Sequence, residues 1–208
     1  MTTLYYFHDP MCSWCWGYRP TAELLFAELP EDVVLEKVLG GLAADSDEPM
    51  SDELLERIPG HWRTIHEMLG TEFNFDFWTM CKPRRSTYPA CRAVIAATIQ
   101  NREADMILAI QQAYYSRAMN PSDTETLEAL AEELNLDSDR FVADLQSADT
   151  EAELQRQVAF ARSSPITGLP ALVLGNGDQL TPLRLDYKDH TETLKHLFAI
   201  IRPQGPVT

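Results

Sequence analysis

The residues best suited to chemistry in this sequence are two cysteines, Cys12 and Cys15, in the stretch Tyr5-Tyr6-Phe7-His8-Asp9-Pro10-Met11-Cys12-Ser13-Trp14-Cys15-Trp16-Gly17. They stand where an apolar run gives way to a helix-like pattern. The first amide N–H groups of a helix lack intrahelical partners and carry partial positive charge, so an anion is favoured there. A thiolate is such an anion. A cysteine so placed is a nucleophile, and a second one a turn further on can attack any mixed disulfide the first one forms. A Cys-x-x-Cys pair also serves as half of a zinc site, but that needs two more ligands and no second such pair is present. No metal is expected.

Several neighbours bear on the pair. Ser13 and Trp14 separate the cysteines and tune the first thiolate. His8, four residues before Cys12, either assists as a charge or proton shuttle or is simply structural. Met11, Trp14 and Trp16 crowd the pair with apolar surface, a docking patch for peptide if exposed. The aromatic run from Phe73 to Trp78 either extends that patch or lines the seam between two parts of the chain, the second being favoured.

The two other cysteines read differently. Cys91 sits in an apolar helical pattern and is expected to be core packing. Cys81 neighbours Lys82, Arg84 and Arg85, a cationic setting that lowers a thiol pKa and makes a redox-responsive thiol conceivable. His61 and His66 have the wrong spacing for a shared metal on a helix and read as surface residues. Glu36 and Lys37 are adjacent on a strand and must face opposite ways; one of them is a candidate proton relay, with solvent exposure the favoured alternative.

The elements that must position the pair can be read in chain order. Residues 3–8 form a β-favouring run ended by Asp9-Pro10, and a helix follows from Ser13 to about Leu29, with Ala22, Leu25, Phe26 and Leu29 on its inward face and a kink expected at Pro20. Residues 32–39 read as a buried strand, giving a right-handed β-α-β unit with a parallel pair. From Ser51 to about Ser163 helical signals repeat, with capping boxes at Ser122/Glu125 and Thr150/Glu153 and an N-cap at Asp137. Ala171–Leu174 starts a strand, the Gly175-Asn-Gly-Asp178 turn reverses it into an antiparallel partner over Gln179–Leu185, and a last helix starts near Asp189 with Leu194, Leu197, Phe198 and Ile201 on one face.

The order is β-α-β, helical insertion, α-β-β-α, an α/β fold. The expected division is 1–45 with 150–208 as one domain and 46–149 as a helical insertion. At 208 residues the chain suits one core bearing an insertion. A formal charge of −15 repels phosphate backbones and anionic lipid, so neither nucleic acid nor membrane is an expected partner. The start of the sequence lacks signal-peptide features and no run is long enough to cross a bilayer, which sets a cytoplasmic expectation.

An aromatic strand, a Cys-x-x-Cys opening a helix, and a Gly-Leu-Pro segment before a later sheet strand resemble the thioredoxin superfamily. With a helical insertion after the second strand, the chain resembles its DsbA-like branch. Asp9 to Gly17, Gly40-Gly41-Leu42, Pro89-Ala90-Cys91-Arg92-Ala93 and Gly168-Leu169-Pro170-Ala171 together resemble the signal-less, FrnE-type members. The resemblance implies a thioredoxin-like fold with an inserted all-helical domain and a cis peptide at Leu169-Pro170 facing the cysteines. It also implies a Leu169 backbone placed to pair with an extended substrate. The Ser13-Trp14 interior departs from the Pro-His of periplasmic oxidants, so their oxidising strength does not carry over.

The expected activity is thiol–disulfide exchange on a thiol- or disulfide-containing protein or peptide, or on glutathione. Cys12 is the nucleophile and Cys15 the resolving thiol, with Met11, Trp16, Leu169 and Pro170 contacting substrate. No metal or organic cofactor is needed, and glutathione is a conceivable co-substrate. The competing readings are a glutathione-dependent transferase or isomerase of kappa-class-like architecture, which typically has Ser where Cys12 stands, and a chaperone-like, redox-responsive binder.

Overall fold

A computed structural model describes residues 2–202. Strand β1 (Thr2–His8) is the hub of a four-stranded sheet of order β2-β1-β3-β4. It pairs parallel with β2 (Val33–Leu39) and antiparallel with β3 (Ala171–Asn176), which turns back into β4 (Gln179–Leu183). The tight β3–β4 turn uses Gly177 at φ +56°, a conformation that glycine adopts without steric cost. Helix α1 (Ser13–Ala27) connects the parallel pair and runs through Pro20 unbroken. It ends two residues before the expected Leu29, which still packs on the core from the following loop.

Alternation along β1 divides the interior. Leu4 and Tyr6 meet Tyr18, Ala22 and Leu25 of α1 and Leu194 and Leu197 of helix α9 (His190–Ile201). Phe7, with Val38 and Val173, meets Phe160 and Ala161 of helix α8 (Ala148–Ser163) on the other face. Between β2 and α8 lie α2 (Asp52–Leu69), α3 (Phe77–Met80), α4 (Tyr88–Ile99), α5 (Glu103–Tyr115), α6 (Thr124–Glu133) and α7 (Ser138–Leu145). Helix α4 is the core of this layer, because small side chains such as Ala90, Ala93 and Ala97 let its neighbours approach closely; Cys91 is packed among them as expected. No helix among the described residues is long and apolar enough to cross a membrane.

Helix starts required two corrections. Asp137 does cap α7, accepting from the Arg140 amide at 3.0 Å. The expected box at Ser122/Glu125 is not formed: Asp123 is the N-cap of α6, and the Ser122 hydroxyl donates instead to the Ser86 carbonyl at 2.7 Å. The box at Thr150/Glu153 also fails, because α8 begins a residue after Ser147, whose hydroxyl oxygen accepts from the Thr150 amide at 3.1 Å. At α8 a serine just before the matching pattern does the capping, and at α6 the pattern's own serine is taken by a tertiary partner.

Candidate active site

Cys12 is the N-cap of α1: its backbone is extended and its carbonyl accepts the first helical bond, from the Trp16 amide at 3.0 Å. Its Sγ lies 3.5 Å from the Leu169 carbonyl oxygen, and the Leu169–Pro170 peptide is cis. Cys15, one turn on, is buried beside it at 1% exposure, against 5% for Cys12, and both thiols are free. Burial and the neighbouring Cys12 sulfur push the Cys15 thiol well above the ordinary cysteine range. The buried Tyr6 hydroxyl is pushed up by the same surroundings, with Cys15 as a hydrogen-bond neighbour.

A groove of about 340 Å³ opens beside Cys12. Met11, Ser13, Trp14 and Leu169 line it, whereas Trp16 and Pro170 do not. Trp16 stacks on Tyr115 with ring centroids 5.7 Å apart and donates its indole N–H to the Glu72 carbonyl, so it belongs to the seam between α1 and the helical layer. The aromatic run serves that seam too: Phe73, Phe77 and Trp78 pack around the fully buried Trp62, with Tyr114 and Tyr115. The groove's other wall comes from α2 and from the segment before α4, through Arg57, Ile58, His61, Arg84 and Arg85.

His8 is not in this groove. It is 2% exposed, stacked on Tyr6, and lines a separate cavity of about 260 Å³ together with Cys15, Lys37 and Gln111. Burial and nearby Lys37 lower its pKa to about 3, leaving it neutral at physiological pH. Lys37 is half-buried at the cavity edge and pairs with Glu103 at 3.0 Å, while Glu36 is exposed. The strand residues do face opposite ways, but Lys37 is held by an ion pair instead of lying free in solvent.

The residue that sequence reasoning missed is Asp9. It is fully buried, and its carboxylate collects donors from three separate segments. Oδ1 accepts from the Met11 amide at 2.8 Å; Oδ2 accepts from the Leu42 amide at 2.8 Å, the Thr87 hydroxyl at 2.7 Å and the Cys91 thiol at 3.6 Å. The Asp9 carbonyl accepts from the Cys12 amide at 3.0 Å. Burial raises its pKa and the donors oppose that rise. The turn carrying Cys12, the loop after β2 and the start of α4 are thus tied to one carboxylate. Locally Asp9 reads only as a turn residue before Pro10, and three of its four side-chain partners are distant in the chain.

Cys81 requires a correction. Its thiol donates to the Ala118 carbonyl at 3.1 Å, and burial with nearby Asp123 raises its pKa where a cationic setting would have lowered it. The basic neighbours point elsewhere: Arg84 binds Asp123 and the Ser122 carbonyl, and Arg85 lines the groove. His66 is an exposed residue bonded to the Thr71 carbonyl, whereas His61, also exposed, is on the groove wall. Among the described residues no group of His, Cys, Asp and Glu is arranged to hold a metal ion.

Known proteins share this fold. A solved structure from Nitrosomonas europaea, assigned as a protein disulfide isomerase, is 26% identical with a TM-score of 0.85, covering 98% of this chain and 99% of that one. The cytosolic disulfide reductase DsbM from Pseudomonas aeruginosa, solved also with GSH, superposes with a TM-score of 0.75 over 96% of this chain and 98% of that one; at 23% identity the likeness is one of fold. The ClpXP adapter protein SpxH of Bacillus subtilis is 26% identical over 83% of this chain, which spans only 58% of that relative's length. The helical layer between β2 and β3 is the DsbA-like form of the fold. The thioredoxin family model matches residues 5–191, and the chain belongs to the thioredoxin family.

Proposed function

We propose that this protein is a thiol–disulfide oxidoreductase acting through Cys12 and Cys15. The observation that carries the reading is the seat of Cys12: at the N-cap of α1, in a groove, 3.5 Å from the Leu169 carbonyl, with a buried partner thiol one turn behind. The Cys12 thiolate attacks one sulfur of a substrate disulfide, forming a mixed disulfide and releasing the other sulfur as a thiolate. Cys15 then loses its proton and attacks the Cys12 sulfur. The second substrate thiol leaves, and the enzyme holds a Cys12–Cys15 disulfide. Two electrons have passed to the substrate, and the reverse sequence oxidises a dithiol.

The N–H groups of the first turn of α1 favour the attacking thiolate. The proton from Cys15 leaves by the cavity it shares with His8 and Lys37. Met11, Trp14 and Leu169 contact the substrate, and an extended segment can pair with the Leu169 backbone. The helical region 46–149 acts as the domain that supplies the opposite wall. The substrate is a thiol- or disulfide-containing protein or peptide, or glutathione, and the working compartment is the cytoplasm. Neither a metal nor an organic cofactor takes part. A Ser-based glutathione transferase chemistry fits less well, since a resolving thiol stands behind Cys12.

The test is turnover of a disulfide-bonded peptide by the full chain. Wild type is expected to exchange the disulfide and Cys12→Ser to lose that activity; equal rates for the two proteins would refute the proposal. Similarity to adapter proteins favours a second reading, in which the chain binds a client without turnover. Client binding that persists in a Cys12→Ser, Cys15→Ser protein, with no exchange by wild type, would support it.

A further inference from the structure

The groove beside Cys12 runs against the charge of the molecule. The chain carries 32 acidic and 17 basic residues, yet among the described residues the groove lining includes Arg57, His61, Arg84 and Arg85 and no Asp or Glu. Two of the cations are already engaged: Arg57 pairs with Glu53 at 3.2 Å and Arg84 with Asp123 at 2.8 Å. Arg85 is half-buried and has no ion-pair partner among the described residues, and His61 is exposed to the same space. Trp62, fully buried and lining the groove, has an indole N–H with no hydrogen-bond partner, as does the Nε of Arg84. Both of these buried, unpartnered groups are donors. A guanidinium and an N–H group match carboxylate oxygens, with Arg able to bind two at once.

Size narrows the ligand. About 340 Å³ lies at the small end of the range for small-molecule sites. It suits a compound of tripeptide size better than a folded partner.

We infer that the groove selects a small acidic thiol and its disulfide, a compound bearing at least two carboxylates near the sulfur, with Arg85 as the carboxylate-binding residue that sets this specificity. The inference rests on the oxidoreductase reading and deepens it. The reaction is the balanced exchange of one acidic disulfide with the Cys12 and Cys15 thiols, giving two small thiols and the Cys12–Cys15 disulfide. Arg85 holds a carboxylate while the sulfur meets Cys12. An electrostatic field of this sign also draws anions into the groove of an otherwise repelling protein, an effect that salt screens.

The experiment measures the rate at which reduced, full-length protein is oxidised by three disulfides of different charge: oxidised glutathione, hydroxyethyl disulfide and cystamine. The quantity read is the ratio of the rate with oxidised glutathione to the rate with neutral hydroxyethyl disulfide. In wild type this ratio should exceed that for cationic cystamine and fall with added salt. Arg85→Gln should lower it by about tenfold, and Arg85→Lys should restore most of it. A ratio unaffected by Arg85→Gln overturns the inference, and so does a long acidic peptide disulfide that outpaces oxidised glutathione tenfold. Oxidation by all three disulfides without regard to charge sinks this inference alone. Failure to react with any of them sinks the oxidoreductase reading beneath it.

Discussion

Cys12 and Leu169 are 157 positions apart in the chain, and the Sγ of one lies 3.5 Å from the carbonyl oxygen of the other. Two devices hold that approach. The Asp9 carboxylate fixes the turn before Cys12, and Gly40 leaves room for the Leu169 side chain.

The first prediction separates the two thiols. Cys12→Ser should lose exchange activity by about three orders of magnitude or more, since the nucleophile is gone. Cys15→Ser should instead accumulate a covalent adduct between Cys12 and the substrate thiol, visible by mass spectrometry. Equal loss without an adduct in Cys15→Ser would count against its resolving role.

Asp9→Asn keeps the shape but turns an amide towards groups that donate. It should destabilise the protein by about 2–4 kcal/mol, read from urea unfolding. It should also disturb the Cys12 turn, so activity should fall by more than the loss of folded protein explains. A variant as stable as wild type would show that the carboxylate is not the tie proposed.

A Cβ added at Gly40 would lie 2.6 Å from the Leu169 side chain. Gly40→Ala should therefore slow exchange by displacing Leu169 from Cys12. Gly41→Ala should act on stability, because Gly41 has φ +56° and a Cβ there would meet Val158 at 2.6 Å and Tyr88 at 2.8 Å. A loss of about 1–3 kcal/mol is expected. The two adjacent glycines are thus separable, one by kinetics and one by thermal or urea midpoint.

His8 gives a pH signature. Its pKa is near 3 in the fold, held down by burial and Lys37, against about 6.5 in an unfolded chain. Below pH ~6.5 the unfolded state gains a proton that the folded state refuses, so His8 contributes stability above that pH and loses it as pH falls towards 3. The slope is at most roughly 1.4 kcal/mol per pH unit. Asp9, whose pKa is raised, acts with the opposite sign in the acid range, so the comparison to make is wild type against His8→Gln. The variant should show a flatter loss between pH 6.5 and 4 in urea midpoints; parallel curves would contradict the assignment.

The frame of the site was legible in the sequence because it rests on local signals. A run of aromatic and β-favouring residues ended by Asp9-Pro10 marked β1, the cysteine spacing marked the start of α1, and the family resemblance implied that Leu169-Pro170 faces it. What was not legible depends on partners distant in the chain. Asp9 is satisfied by Leu42, Thr87 and Cys91, and no local pattern announces such a meeting. The cationic wall joins Arg57 and His61 of α2 to Arg84 and Arg85, in a sequence whose overall charge points the other way. Trp16 looked like groove surface beside the cysteines, but helical geometry turns it towards Tyr115. The capping box at Ser122 failed for the same reason, its hydroxyl being taken by Ser86, whereas at Thr150 a local competitor, Ser147, came first for α8.

The central claim is that Cys12 and Cys15 form one reversible redox couple. It is tested most directly by equilibrating the full-length protein in glutathione buffers of graded potential, quenching with an alkylating reagent and mapping the cysteines by mass spectrometry. The account predicts a single two-electron transition in which Cys12 and Cys15 lose their labels together in one disulfide, while Cys81 and Cys91 stay as thiols. A Cys12–Cys15 bond absent across the whole range, or a disulfide joining either cysteine to Cys81 or Cys91 in its place, would contradict it.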